Sequence, residues 1–347
     1  MRQPTTFANH EVIICPVPTL RKISVVATGI GAWIIAFGDP LTLTSATGAQ
    51  AISQEMFISV LDENGDPVLN LGVHEFVVLE DGAQREILHV SRAKMPLQVA
   101  ILVDTSHGAI SIIPGIRRGL HKFLDGIHER NTLSIITFGG SPKILVGSTQ
   151  NRDRLRVGID RLFGSSFTGS YLLDALTETI LGFQKREVTR SAMVVVTTDG
   201  TDFSNRTHTE VLKSLSQNGI ALHTIILPSE KRAQDPLGFG SSGQTGPAET
   251  WNSRELKINQ EHFRNETRNR DFLLTLGPDA TGGRRSDLLT SMRLEDELAA
   301  VAKELSSQYL VVDARPQTLI PPSQIEANMR RTNFSVRGTP ARVMRGG

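Results

Sequence analysis

From Met56 to Val90 apolar residues come in short runs separated by turn chemistry. Met56-Phe57-Ile58-Ser59-Val60-Leu61, Glu75-Phe76-Val77-Val78-Leu79 and a run ending at Ile87-Leu88-His89-Val90 read as strands. Glu63-Asn64-Gly65-Asp66-Pro67 and Glu80-Asp81-Gly82 read as the turns between them. The expectation is a small β module over residues 52–94.

Past Pro96 the rhythm changes. Leu97 to Val103 is an unbroken apolar run of the kind that parallel sheets bury on both faces. Ile113, Ile116, Leu120, Phe123 and Ile127 then recur at helical spacing. Strands follow at Leu133–Phe138, at the short run Ile144-Leu145-Val146, at Met193–Thr197 and at Ala221–Leu227. Helical faces are marked by Leu173, Leu176, Ile180 and Phe183, by Val211, Leu212 and Leu215, and by Leu294, Leu298, Val301 and Leu305. Thr207 and Glu210 have the spacing of a capping box, and Tyr309–Val312 is expected to close the series as a last strand. Such alternation predicts an α/β, doubly wound and mainly parallel sheet over residues 95–315. A basic, strand-like tail over 316–347 ends the chain.

Residues 229–270 break the series. They are rich in Gly, Ser, Pro, Asn and charge, lack periodicity, and far exceed an ordinary loop of about 4–6 residues, so a mobile irregular insertion is expected. Gly238-Phe239-Gly240-Ser241-Ser242-Gly243 inside it matches G-x-G-x-x-G by letter only. No apolar strand precedes it and no helical pattern follows, so the dinucleotide-binding context is missing.

The first 51 residues read as a targeting segment. Arg21-Lys22 precede the apolar run Ile23–Phe37, and Ala49-Gln50-Ala51 follows as a small-residue cleavage signal. The run falls short of the ~20 residues that span a bilayer. Export to the periplasm, cell surface or medium is expected, with membrane attachment only through this segment if it stays uncleaved. The one cysteine, Cys15, would be lost on cleavage, leaving no disulfide, thiolate metal site or thiol nucleophile. With 37 basic and 36 acidic residues the formal net charge is +1, so no global field draws the chain to nucleic acid or an anionic membrane.

Ligands of open α/β sheets bind beyond the carboxyl ends of the strands. Two such ends here carry aspartate: Asp104-Thr105-Ser106-His107-Gly108 and Asp199-Gly200-Thr201-Asp202. A third polar loop, Phe167-Thr168-Gly169-Ser170, opens the helix of Leu173. Carboxylates and hydroxyls alone make an oxygen-only ligand set, suited to Mg²⁺ or Mn²⁺. Asp104 and Asp199 would cancel two charges, leaving a favourable position for a carboxylate from an acidic protein partner.

Asp104-Thr105-Ser106-His107-Gly108 resembles the D-x-S-x-S metal-ion-dependent adhesion motif of von Willebrand factor type A domains, and Asp199-Gly200 resembles the family's downstream aspartate. The likeness extends to Phe76 and Glu80-Asp81-Gly82 in the β prefix, to Ala280-Thr281-Gly282-Gly283, and to Glu304-Leu305-Ser306-Ser307-Gln308-Tyr309-Leu310, features of an exported bacterial subgroup. The resemblance implies a non-enzymatic binding module with metal ligands Asp104, Ser106, Ser170 or Thr168, and Asp199. His107 and Asp202 would lie toward the partner, although Asp202 also reads as a carboxylate that stabilises its own loop. Gly108 stands where the family has a serine, so one hydroxyl ligand is missing.

Two rivals follow from the same residues. The aspartates could simply hold loops and helix N-termini, leaving a metal-independent scaffold. A serine hydrolase built on Ser106 and His107 fits less well, because a nucleophile elbow needs glycine two residues before the serine and Asp104 stands there.

Overall fold

The computed structural model describes residues 51–166, 168–229, 268–316 and 325–339. The apolar run 23–37, Cys15, the body of the insertion and the end of the basic tail lie outside them.

The chain begins with β1 (Ala51–Leu61), β2 (Phe76–Glu80), β3 (Ala83–Arg85) and β4 (Ile87–Arg92). It then enters the alternating region with β5 (Gln98–Val103), α1 (Ile113–Gly126), β6 (Thr132–Thr137), β7 (Lys143–Thr149) and α2 (Arg152–Asp160). Next come α3 (Leu172–Lys185), β8 (Ser191–Thr198), α4 (His208–Gln217) and β9 (Ile220–Leu227). After the insertion lie α5 (residues 268–281), β10 (Arg285–Asp287), α6 (Leu294–Ser306), β11 (Tyr309–Pro316), β12 (Ile325–Met329) and β13 (Ser335–Gly338).

Six strands make the central sheet in the order β10-β9-β8-β5-β6-β7. All neighbours run parallel except β7, which is antiparallel to β6. Strand β5 shows why the sequence reads as uniformly apolar. Val99, Ile101 and Val103 face α1, α2 and α6, while Ala100 and Leu102 face α3, α4 and α5, so both faces are core. At ~1.5–3 kcal/mol for each large aliphatic side chain removed from water, these two layers supply the main driving force for folding. Helices α1 and α6 approach closely because α1 is glycine-bearing where they cross: a Cβ on Gly119 would fall 2.6 Å from Leu298.

The expected core positions on α1, α3, α4 and α6 are buried except Leu212 of α4, which packs half-buried against the core, and the Thr207–Glu210 capping box forms. Three elements differ from the sequence reading. Tyr309–Val312 does not close the parallel sheet: β11 pairs antiparallel with β1 and β4, and β13 completes that four-stranded sheet on the other side of β1. The reason lies in its inward face, where Asp313 and Arg315 follow Tyr309 and Val311 at alternate positions. A strand carrying charge on one buried face cannot sit between two apolar helical layers. The edge of the parallel sheet is instead β10, a three-residue polar strand with no apolar run to announce it. Third, residues 268–270, assigned to the insertion, open α5, whose Leu273 and Leu274 join the core.

Strands from the two ends of the chain therefore share one module. Sheet β12-β2-β3 faces the four-stranded sheet across Met56, Ile58, Phe76, Val78, Tyr309 and Val311. The Tyr309 hydroxyl donates to Val68 O at 3.0 Å and accepts from Leu71 N at 3.2 Å, anchoring the loop before β2. Arg190, 4% exposed, ties the module to the main sheet by donating to Met95 O, Leu305 O and Gln308 Oε1. Among the described residues, no helix is long and apolar enough to cross a membrane.

Candidate functional site

Strands β5, β6 and β8 end at the same edge, and the loops that leave them interlock. Asp104 follows β5 with its backbone N–H donating to Val196 O at 2.9 Å, which holds it beside the end of β8. It is fully buried. Its Oδ1 accepts from Ser106 N at 2.9 Å, and its Oδ2 accepts from the Thr197 hydroxyl at 2.8 Å. A buried carboxylate is tolerated only with such donors.

The loop after β6 lies against the Asp104 loop. Gly139 N donates to Thr105 Oγ1 at 3.1 Å, and a Cβ on Gly139 would fall 2.2 Å from the Thr105 carbonyl carbon. Only glycine permits that approach. Gly139 in turn bridges to Ser170, and Ser170 bridges to Asp202. Thr105 O accepts from Ser165 N at 2.7 Å and Thr168 O from His107 N at 3.1 Å, which locks the loop before α3 onto the Asp104 loop.

The two candidates for the family's threonine separate here. Thr168 gives its hydroxyl to Ser165 O at 3.1 Å. Ser170 is 2% exposed and its Oγ has no hydrogen-bond partner. An unpaired buried hydroxyl costs about 1–3 kcal/mol, so a group that accepts its lone pair would relieve that cost. Of the two hydroxyls, Ser170 Oγ is therefore the one left without a partner, while Thr168 spends its proton on Ser165 O and keeps its oxygen lone pairs.

Asp202 is corrected as a partner-facing residue. It is 1% exposed, with Oδ2 accepting from Leu172 N at 2.8 Å and Oδ1 from Ser204 N at 2.7 Å. Together with Ser204, whose Oγ accepts from Asp174 N at 3.1 Å, it caps α3, which has no cap of its own at Tyr171. Burial pushes the Asp202 carboxyl upward, against the opposing pull of these bonds and of Arg270. His107 is exposed, whereas Ser106 is buried. No hydrogen bond joins the two among the described residues.

Asp199 follows β8, with its N–H donating to Leu227 O at 3.0 Å and its Oδ1 accepting from Ser229 N at 2.6 Å. It helps to line a cleft of about 400 Å³ with Arg270, Asp271, Arg285 and Asp287. Asp271, on the exposed rim of this cleft, is pushed upward by partial desolvation and by Asp199, with Arg270 and Arg285 opposing. No group of three His, Cys, Asp or Glu side chains suited to a metal ion occurs among the described residues. Any ion here would depend on hydroxyls, with Asp104 and Asp199 as its carboxylates.

Sequence reasoning missed Arg270. Among the described residues it is the largest fully buried side chain, donating to Thr197 Oγ1 at 2.8 Å and to the carbonyls of Thr198 and Gly200. The spacing of Arg270, Leu273, Leu274 and Gly277 on one helical face was the available signal.

No family model matches the sequence, and no curated protein matches it. Similar solved structures include BatB, a conserved hypothetical protein from Bacteroides thetaiotaomicron, at 14% identity, covering 61% of this chain and 100% of that one with a TM-score of 0.39. A von Willebrand factor type A protein from Catenulispora acidiphila matches at 10% identity over 85% and 75% of the two chains, TM-score 0.42. Proximal thread matrix protein 1 from the mussel byssus, described with a zinc-occupied adhesion motif, matches at 12% identity over 66% and 50%, TM-score 0.40. Likenesses this distant concern the fold alone, and the fold itself is read from the strand order and pairing above.

Proposed function

We propose that this chain, which has the von Willebrand factor type A fold, is an exported, non-enzymatic protein-binding module whose binding edge holds a divalent cation. Fold does not carry function, so the proposal rests on the site. The observation that supports it most directly is the buried, unpartnered Ser170 Oγ beside the Asp104–Ser106 loop. Asp104, Ser106, Ser170 and Asp199 would hold Mg²⁺ or Mn²⁺. The ion would supply Lewis acidity toward an acidic side chain of a protein partner.

The chain's own residues do the rest. Asp104 and Asp199 provide negative charge, Gly139 lets the loops close, Asp202 fixes the start of α3 and hence Ser170, and exposed His107 lies at the rim. Export is supported by the order of Arg21-Lys22, the apolar run and Ala49-Gln50-Ala51.

Calorimetric titration of Mn²⁺ into the purified protein tests the reading. Uptake at one site, lost in Asp104→Ala, is the expected result; no uptake removes the metal from the proposal. A metal-independent scaffold is the second reading, favoured by the guanidinium already buried at this edge.

A further inference from the structure

A fully buried guanidinium is costly. Taking its charge out of water is unfavourable unless negative charge faces it. Among the described residues, Arg270 bonds to neutral oxygens: Thr197 Oγ1 at 2.8 Å and the carbonyls of Thr198 and Gly200; its Nε has no hydrogen-bond partner. The compensating charge lies one atom further on. Thr197 Oγ1, which accepts from Arg270, donates to Asp104 Oδ2 at 2.8 Å. Asp202 and Asp271 both feel the Arg270 charge, and Asp199 lines the same cleft. Leu273 and Leu274, one turn along α5 in the sheet core, fix the helix that delivers the side chain.

We propose that Arg270 is a built-in cation for this edge, organising the loops of Asp104 and Asp199 in the absence of metal and competing with a divalent ion for the same two carboxylates. Where the ion binds rests on the reading above; that Arg270 neutralises the edge does not. The physical reason is charge balance. Asp104 and Asp199 cancel a divalent ion, or a guanidinium with one charge to spare, whereas the two cations together exceed them by one positive charge, and Arg270 and Asp104 are fully buried, where repulsion is strong.

The test compares Mn²⁺ affinity and melting temperature in the full chain and in Arg270→Gln, Arg270→Lys and Arg270→Gln/Asp104→Asn. Arg270→Gln should bind Mn²⁺ at least about tenfold more tightly than the parent chain. It should melt lower in chelator and recover with saturating Mn²⁺, which the loss of a merely structural arginine would not do. Arg270→Lys, which keeps the charge, should stay near the parent affinity, and adding Asp104→Asn should remove the gain. Equal Mn²⁺ affinity in the parent and Arg270→Gln overturns the competition while leaving the metal site standing. Absence of uptake by either overturns both. Should Arg270→Gln be unfolded in chelator, it must fold on adding Mn²⁺, and failure to do so equally overturns the proposal.

Discussion

Asp104 and Arg270 meet on a single atom, the hydroxyl oxygen of Thr197, which donates to Asp104 Oδ2 at 2.8 Å and accepts from Arg270 Nη2 at 2.8 Å. The first residue directly follows β5 and the second lies in the first turn of α5, so strand and helix are coupled through the last residues of β8.

Gly108→Ser should tighten Mn²⁺ binding without weakening the fold. A Cβ there would meet Thr198 Oγ1 at 3.5 Å and Ser229 Cβ at 3.6 Å, ordinary contact distances, and the backbone is not in the left-handed region. Stability is expected to stay within about 0.5 kcal/mol of the parent in urea unfolding. Calorimetry showing no gain in affinity would mean that residue 108 does not reach the ion.

Arg190→Met should be strongly destabilising. It strips donors from Met95 O at 2.8 Å, Leu305 O at 3.0 Å and Gln308 Oε1 at 2.8 Å, and at ~1–3 kcal/mol per stranded buried acceptor the loss should be on the order of 3 kcal/mol. Chemical denaturation measures it. Parent-like stability would show that the small module and the main sheet are held together by apolar contact alone.

His223 should make the fold acid-sensitive. Burial lowers its pKa from 6.5 to about 4, with Glu304 opposing and Arg337 and Arg284 adding, and neither ring nitrogen has a hydrogen-bond partner. Below pH 6.5 the unfolded chain takes up a proton that the folded chain refuses until about pH 4. The associated stability is therefore whole above 6.5 and lost as pH falls through that window. His223→Leu should flatten this slope in melts across pH, and an unchanged slope would assign it to other groups.

Asp313 acts in the opposite sense. Burial, and secondarily Glu80, raises its pKa from 3.8 to about 6. Its contribution is whole below pH 3.8 and is lost as pH rises through about 6. Asp313→Asn should thus be more stable than the parent near neutral pH and similar to it at low pH. Equal unfolding midpoints near neutrality would indicate that Arg315 and Arg85 already offset the charge.

Much of this architecture is legible without coordinates, for a definite reason. Burial on both faces forces strands such as β5 and β8 to be apolar throughout, and burial of one helical face forces the periodicity of α1, α3 and α6; both leave a local pattern. The Asp104 and Asp199 loops are legible because such ends carry short polar motifs next to those patterns. What only the tertiary structure decided depends on partners far away in the chain. Strand β11 joins β1 because its inward Asp313 and Arg315 need the small module, and β10 is a strand only because β9 offers it an edge. Asp202 caps a helix that starts thirty residues earlier, at Leu172. Arg270 reads as one more charge beside a polar insertion until folding buries it. Period and propensity are properties of neighbours in sequence, whereas the cost of a buried charge is set by whatever the fold brings to face it.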